Sequence, residues 1–108
     1  MPISSTVQNG VTVVVVTGEF RGASKKMEDV LFGGQPLPRA LIVDLEGVSM
    51  VDSVGMRVII EWNSKVTKAG GDLKLVSPGP SSPFADQISK LLSGIPSFDT
   101  REAALAAF

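Results

Sequence analysis

The chain has 108 residues, of which 44% are hydrophobic and 19% are charged, and its net charge is -1. This composition is typical of one soluble globular domain, so we expect residues 1–108 to form a single cytoplasmic domain. Cysteine and histidine are absent, which excludes disulfides, Cys/His metal sites and the commonest general base. A near-neutral chain with one Trp and no Tyr also lacks the basic patches and stacking rings that nucleic-acid binding needs, so we expect no nucleic-acid partner.

The N-terminal region predicts a β-hairpin. Asn9-Gly10 separates two strand-like segments, and this dipeptide favours a type I′ turn, whose two central residues need φ > 0. The second strand, residues 11–17, is almost entirely β-branched, which suits a strand that is covered on both faces. Residues 18–22, GEFRG, are predicted to form a loop.

The middle of the chain predicts alternating helices and strands. Ser24 is expected to cap a short helix over residues 25–32, and a loop rich in Gly and Pro follows it. Residues 40–45, ALIVDL, predict a buried strand. Residues 46–51, EGVSMV, are expected to form a turn and a short approach to Asp52.

Residues 53–68 predict an amphipathic helix. Apolar residues recur there every four positions, which predicts a stripe on one helical face; they are Val54, Val58, Trp62 and Val66. Gly70-Gly71 is predicted to stop the helix, and residues 72–76 predict the next strand.

The C-terminal part of the chain predicts two more helices. Ser82 and Pro83 are expected to start one that ends near Leu92, and residues 95–98 are expected to be extended. DTRE has the form of a capping box, in which Asp99 caps the last helix and Glu102 reaches back. The order of elements predicts an α/β fold with a mixed, mostly parallel sheet, an N-terminal hairpin and about four helices.

Ser53 lies where a strand region ends and the long helix begins. Ligand and regulatory sites in open α/β sheets favour this edge, and a helix start offers free N–H groups and partial positive charge to a phosphate. Gly55 would let another molecule approach the backbone. A simple helix cap by Asp52 or Ser53 explains the same residues, and this stretch alone favours the cap.

A catalytic role has little support in the sequence. A Ser nucleophile needs a positioned base, and Lys65 and Lys68 fall about three to four turns along the helix from Ser53. Asp44 resembles the phospho-acceptor of a response-regulator receiver, but the first long strand carries no acids that could hold Mg²⁺. We therefore expect no enzyme, no cofactor and no metal site.

The sequence resembles the STAS domain family, and in particular the stand-alone bacterial anti-sigma factor antagonists. The family has a strand that ends in Asp-Leu, then Asp-Ser-x-Gly, an amphipathic helix, a Gly-Gly turn and a second strand. These stand here as Asp44-Leu45, Asp52-Ser53-Val54-Gly55, the helix to Lys68, Gly70-Gly71 and residues 73–76. TGEF and FDTREAALAAF resemble the family's Gly-Glu-Leu loop and its closing helix.

The resemblance implies a regulatory binding protein that is not itself an enzyme. In phosphorylatable members, a GHKL-type serine kinase, which is the anti-sigma factor, modifies the Ser after this Asp, and a PP2C-type phosphatase removes the phosphate. The unphosphorylated antagonist binds the kinase and makes it release its target. By this resemblance, Ser53 is the phospho-acceptor and Asp52 is its neighbour in the kinase contact.

The expected partner surface combines the loop at residues 18–22 with the residues around Ser53. Its members are Glu19, Phe20, Arg21, Ser49, Met50, Asp52, Ser53, Val54, Gly55 and Met56. Met50 and Met56 are expected either as adaptable contacts or as buried residues beneath the helix. Arg21 stands where the family often has Asp, and Val54 stands where many members have Ser or Thr.

A second function is consistent with the same resemblance. Some small STAS proteins are constitutive accessory subunits of ABC transporters, including lipid transporters, and contact the ATPase. In that case Ser53 would only form hydrogen bonds at an interface. No apolar run approaches the roughly 20 residues of a membrane span, so we expect no direct membrane insertion. The sequence leaves open whether two copies form a homodimer.

Overall fold

The structure is a computed structural model that describes residues 3–20, 38–77, 90 and 94–108. The helices predicted over residues 25–32 and from Ser82 to Leu92 lie outside these described residues, apart from Lys90, which is helical. Besides Lys90, the described part has five strands and two helices, in the order β1 (Ile3–Gln8), β2 (Val11–Phe20), β3 (Ala40–Val51), α1 (Ser53–Lys68), β4 (Asp72–Val76), β5 (Ser97–Phe98) and α2 (Arg101–Ala106).

The N-terminal hairpin is confirmed. β1 (Ile3–Gln8) pairs antiparallel with β2 (Val11–Phe20), and Gln8 lies opposite Val11. Asn9 has φ 52 and Gly10 has φ 79. Both turn residues therefore have the positive φ that a type I′ turn needs, and Gly10 adopts it without a Cβ penalty.

The remaining strands add to β2 in parallel. β3 (Ala40–Val51), β4 (Asp72–Val76) and β5 (Ser97–Phe98) complete a five-stranded sheet in the order β1-β2-β3-β4-β5. The predicted α/β class with a mixed, mostly parallel sheet is confirmed.

β2 and β3 both run further than the sequence predicts. Residues 18–20 were expected in a loop and residues 46–51 in a turn, but Gly18 pairs with Val48 and Phe20 with Val51. Two register shifts interrupt this pairing, and Gly18 has φ 71. Glycine-containing bulges let two strands continue past an irregularity, so the glycines mark a bulged strand pair rather than a loop.

The long helix has the predicted bounds. α1 (Ser53–Lys68) begins after its N-cap Asp52, Ala69 is its C-cap, and Gly70 follows with φ 84. Gly71 then passes close to the residue that precedes β3, because a Cβ there would lie 2.7 Å from the Cα of Arg39. The predicted stop at Gly70-Gly71 is confirmed.

The predicted apolar stripe is wrong at its first residue. Val58, Trp62 and Val66 are buried, whereas Val54 is 47% exposed. A step of four residues turns the helix by about 400°, so three such steps drift by about 120° around the axis. The buried face instead follows mixed steps of three and four residues and includes Gly55, Met56 and Ile59.

The sheet is covered on both faces. Trp62 and Ile59 of α1 pack against one face with Val14 and Leu41. On the other face, Ala104 of α2 (Arg101–Ala106) belongs to a second cluster with Val13, Ile42 and Val76. Val13 and Val14 are adjacent and both fully buried, which confirms the prediction from the β-branched run.

A partly buried ion pair joins β3 to the last helix. Arg101 donates from Nε (2.9 Å) to Oδ2 of Asp44, and its Nη2 lies 2.8 Å from the same oxygen. The backbone N–H of Glu46 donates to the other carboxylate oxygen at 3.0 Å. Asp44 is therefore a structural residue that anchors α2 to the sheet.

The predicted cap of α2 is wrong by one residue. Thr100 is the N-cap, with φ -134 and ψ 158, and its hydroxyl accepts from the N–H of Ala103 at 3.1 Å. A cap must be the extended residue immediately before the first helical residue. Because the helix begins at Arg101, Asp99 lies one position too early to cap it.

Candidate functional site

The candidate site lies at the carboxyl ends of β2 and β3. Glu19 pairs with Met50 and Phe20 pairs with Val51, and Asp52 follows immediately as the start of α1. The strand extension that the sequence did not predict therefore brings two distant segments of the expected partner surface side by side. This is the edge of a parallel sheet at which binding sites are usually built.

Asp52 caps α1. Its backbone is extended, its Oδ1 accepts from the N–H of Gly55 at 2.7 Å, and its carbonyl accepts from the N–H of Met56 at 3.0 Å. The sequence left the cap open between Asp52 and Ser53, and the structure assigns it to Asp52. The Ser53 hydroxyl is therefore not needed to start the helix.

Ser53 is the first helical residue and is exposed. Among the described residues, no protein group hydrogen-bonds to its hydroxyl or to the backbone N–H groups of Ser53 and Val54. The first turn of a helix leaves such N–H groups unpaired, and together they carry partial positive charge. An enzyme could therefore reach the hydroxyl oxygen without unfolding the helix.

The residues around Ser53 differ in how far they reach the surface. Glu19 is exposed, Met50 is half-buried, and Val54 is 47% exposed. Met56 is only 7% exposed and packs in the core with Trp62, and Gly55 is also buried. Of the two alternatives for Met56, burial beneath the helix is the one observed, so it supports the site rather than presenting a surface.

Three expected members of the surface have no described side chain. Arg21 lies outside the described residues, and only the backbone is described for Phe20 and Ser49. Their part in a partner contact stays a prediction. Within the described part of the chain, no group of three or more acids or other ligating side chains could hold a metal ion.

Arg57 is a residue of this surface that the sequence analysis did not single out. It is exposed and lies four residues after Ser53 in the same helix. Side chains with this spacing are neighbours on a helix surface. The spacing of four residues is visible in the sequence. Only the structure shows that the helix begins at Ser53 and that the side chains of Ser53 and Arg57 are both exposed.

The family model for the STAS domain matches residues 2–104. The chain belongs to the STAS domain family. The expected resemblance is thereby confirmed over almost the whole chain. Among curated proteins, none matches this STAS chain.

Solved structures similar to this STAS chain are stand-alone anti-sigma factor antagonists. The protein from Mycobacterium paratuberculosis is 27% identical with a TM-score of 0.75, and the match covers 97% of this chain and 91% of that one. A protein from Thermotoga maritima assigned as an anti-sigma factor antagonist is 18% identical with a TM-score of 0.76, covering 95% and 91%. SpoIIAA in its unphosphorylated form is 15% identical with a TM-score of 0.66, covering 97% and 94%.

The two matches of lower identity show a shared fold. None of the helices in the described ranges of this STAS domain is both long and apolar enough to cross a membrane.

Proposed function

We propose that this STAS domain is a phosphorylation-switched antagonist of a GHKL-type serine kinase that acts as an anti-sigma factor. It binds the kinase when Ser53 is unphosphorylated and releases it when Ser53 carries a phosphate. The observation that carries the proposal is the exposed hydroxyl of Ser53 at the first position of α1, to which no group in the described part of the chain hydrogen-bonds. The likeness to solved anti-sigma factor antagonists supports the same function.

The modification is an ordinary phosphoryl transfer. The Ser53 oxygen forms a bond to the γ-phosphorus of ATP as the bond to the bridging β,γ-oxygen breaks, and ADP leaves. The hydroxyl proton passes to a base of the kinase or to water. ATP and Mg²⁺ belong to the partner, so the proposal includes a cytoplasmic location for both proteins. A PP2C-type phosphatase returns Ser53 to the hydroxyl form by hydrolysis.

The phosphate can be added without loss of the fold. Asp52 uses the N–H of Gly55 for its cap, so the cap does not depend on the Ser53 hydroxyl. The phosphate would lie in solvent near the positive end of the helix, where its charge is tolerated. The fold of the phosphorylated and unphosphorylated forms is therefore the same.

The phosphate would nevertheless prevent docking. It adds about -1.5 to -2 charges at neutral pH next to Val54, which is exposed. A partner that covers Val54 must take the dianion out of water, and burying an unpaired charge is costly. One charge change thus separates a binding state from a non-binding state.

The test is capture of purified GHKL-type kinases of the host by immobilised variants. Ser53→Ala should capture a kinase as wild type does, whereas Ser53→Asp and protein made with phosphoserine at position 53 should bind at least about tenfold more weakly, which corresponds to about 1.4 kcal/mol. Transfer of labelled phosphate from ATP should occur on wild type and not on Ser53→Ala.

Ser64→Asp is the matched control. Ser64 is exposed on the same helix, and its added charge lies about 16 Å along the axis from Ser53. This variant should capture the kinase as wild type does. Equal capture by Ser53→Ala and by the phosphoserine protein would contradict the switch.

A further inference from the structure

Arg57 and Ser53 are neighbours on the exposed face of α1. Both are exposed, and they are separated by four residues of continuous helix. This spacing brings the Cβ atoms to about 5–6 Å from each other. The Arg side chain is long enough to place its guanidinium against a group attached to the Ser53 oxygen.

Arg57 has no ion pair in the part of the chain that the structure describes. The other described arginine of a helix, Arg101, is committed to Asp44. Two exposed apolar residues, Val54 at 47% and Ile60 at 49%, lie on either side of Arg57 along the helix. The unphosphorylated protein therefore presents one unneutralised positive charge between two apolar side chains.

Two carboxylates of α1 and its cap could compete for this guanidinium. Asp52 is half-buried and accepts from Gly55, while Glu61 is exposed four residues after Arg57. An ion pair between residues four apart on a helix is more favourable when the acid precedes the base, and Glu61 follows Arg57, so their pairing has the less favourable order. A phosphate at position 53 is on the favourable side, carries more charge, and matches the planar fork of Arg.

Resting on the proposed phosphorylation of Ser53, we infer that Arg57 forms an intrahelical ion pair with the phosphate and is the regulatory residue of the switch. Phosphorylation then does more than add negative charge. It also neutralises the positive charge of Arg57, because the guanidinium turns towards the N-terminus of α1. The net charge of the pair formed by residues 53 and 57 thus changes from positive to negative in one step.

The ion pair is tested without any kinase. Protein with phosphoserine at position 53 is made by recoded expression, and the second ionisation of the phosphate is followed by ³¹P NMR. A nearby cation favours the dianion, so the phosphate pKa, ordinarily about 6, should be lower in wild type than in Arg57→Gln by about 0.5. Arg57→Lys should restore part of this decrease, because it keeps the charge without the fork.

Lys68→Gln is the matched control. It removes the same charge from an exposed position of α1 that is about 22 Å along the axis from Ser53, and it should leave the phosphate pKa of wild type unchanged. Sodium chloride at about 1 M should shrink the difference between wild type and Arg57→Gln, because an exposed pair is screened. Circular dichroism would establish that every variant is folded.

The outcomes separate this inference from the proposed function. Equal phosphate pKa values in wild type and Arg57→Gln would overturn the ion pair even if kinase capture still depends on phosphorylation. A lower pKa in wild type would support the ion pair even if the Ser53 variants capture the kinase equally, and in that case the proposed switch itself would fall.

Discussion

Replacing Arg101 with Gln should destabilise the protein far more than a surface substitution does. The side chain of Asp44 is only 3% exposed, and its Oδ2 is contacted by two guanidinium nitrogens of Arg101, Nε and Nη2. After the substitution, the carboxylate keeps one hydrogen bond, from the N–H of Glu46. A buried charge is then left without its counter-charge.

The magnitude follows from the burial of the two partners. Removing one member of a fully buried pair costs about 3–5 kcal/mol. The Arg101 side chain is 33% exposed, so water can replace part of what the guanidinium supplied. We expect a loss of about 2–3 kcal/mol in the free energy of unfolding, intermediate between a buried pair and an exposed one.

Urea unfolding followed by the fluorescence of Trp62 measures this loss. Trp62 is the single Trp of the chain and is fully buried in the core, so its emission reports global unfolding. With a slope of about 2 kcal/mol per M urea, the midpoint should fall by about 1–1.5 M. The double-mutant cycle with Asp44→Asn should give a coupling energy of about 2 kcal/mol.

Arg57→Gln is the control for loss of an arginine charge. Arg57 is exposed and has no ion pair among the described residues, so this variant should change the free energy of unfolding by no more than about 0.5 kcal/mol, the range of surface substitutions. A loss below about 1 kcal/mol for Arg101→Gln, or a coupling energy near zero, would refute the anchoring of α2 by this pair.

Two further predictions concern the turn after α1 and its cap. Gly71→Ala should lower the free energy of unfolding by about 2–3 kcal/mol, because the new Cβ overlaps backbone atoms of Arg39, whose carbonyl accepts a hydrogen bond from the N–H of Asp72. Gly94→Ala is the control: its Cβ would meet nothing within 4 Å, so it should be near neutral in the same urea titration. Equal effects of the two variants would contradict the steric reason. Asp52→Ala should lower the free energy of unfolding by about 1 kcal/mol, because the helix loses its cap to the N–H of Gly55, whereas Ser53→Ala should change it by no more than about 0.5 kcal/mol. Thermal unfolding followed by circular dichroism compares the two variants. A larger loss for Ser53→Ala than for Asp52→Ala would show that Ser53 supports the fold.

The location of the candidate site could be predicted from the sequence, and its shape could not. Asp52-Ser53-Val54-Gly55 before an amphipathic pattern predicts a helix start after a strand, and the structure has α1 beginning at Ser53. The exposure of Val54 and the burial of Met56 depend on how the helix is rotated against the sheet. The pairing of Glu19 with Met50 depends on two register shifts between strands.

Local chemistry determined the elements whose geometry is set within a few residues. Asn9-Gly10 specified the hairpin turn, the apolar spacing and Gly70-Gly71 specified α1, and β-branched runs specified strands covered on both faces. In each case the free energy that favours the element comes from a backbone preference, or from a hydrogen bond between residues that are close in sequence.

Tertiary structure decided the features that depend on which surfaces meet. Asp44 and Arg101 are 57 residues apart, and no local rule pairs a carboxylate with a guanidinium at that separation. The bulged ends of β2 and β3 and the exposure of Arg57 beside Ser53 arise in the same way, from strand register and helix rotation. Strand register and helix rotation are set by packing of the whole core, because a side chain is buried by residues that are distant from it in the sequence.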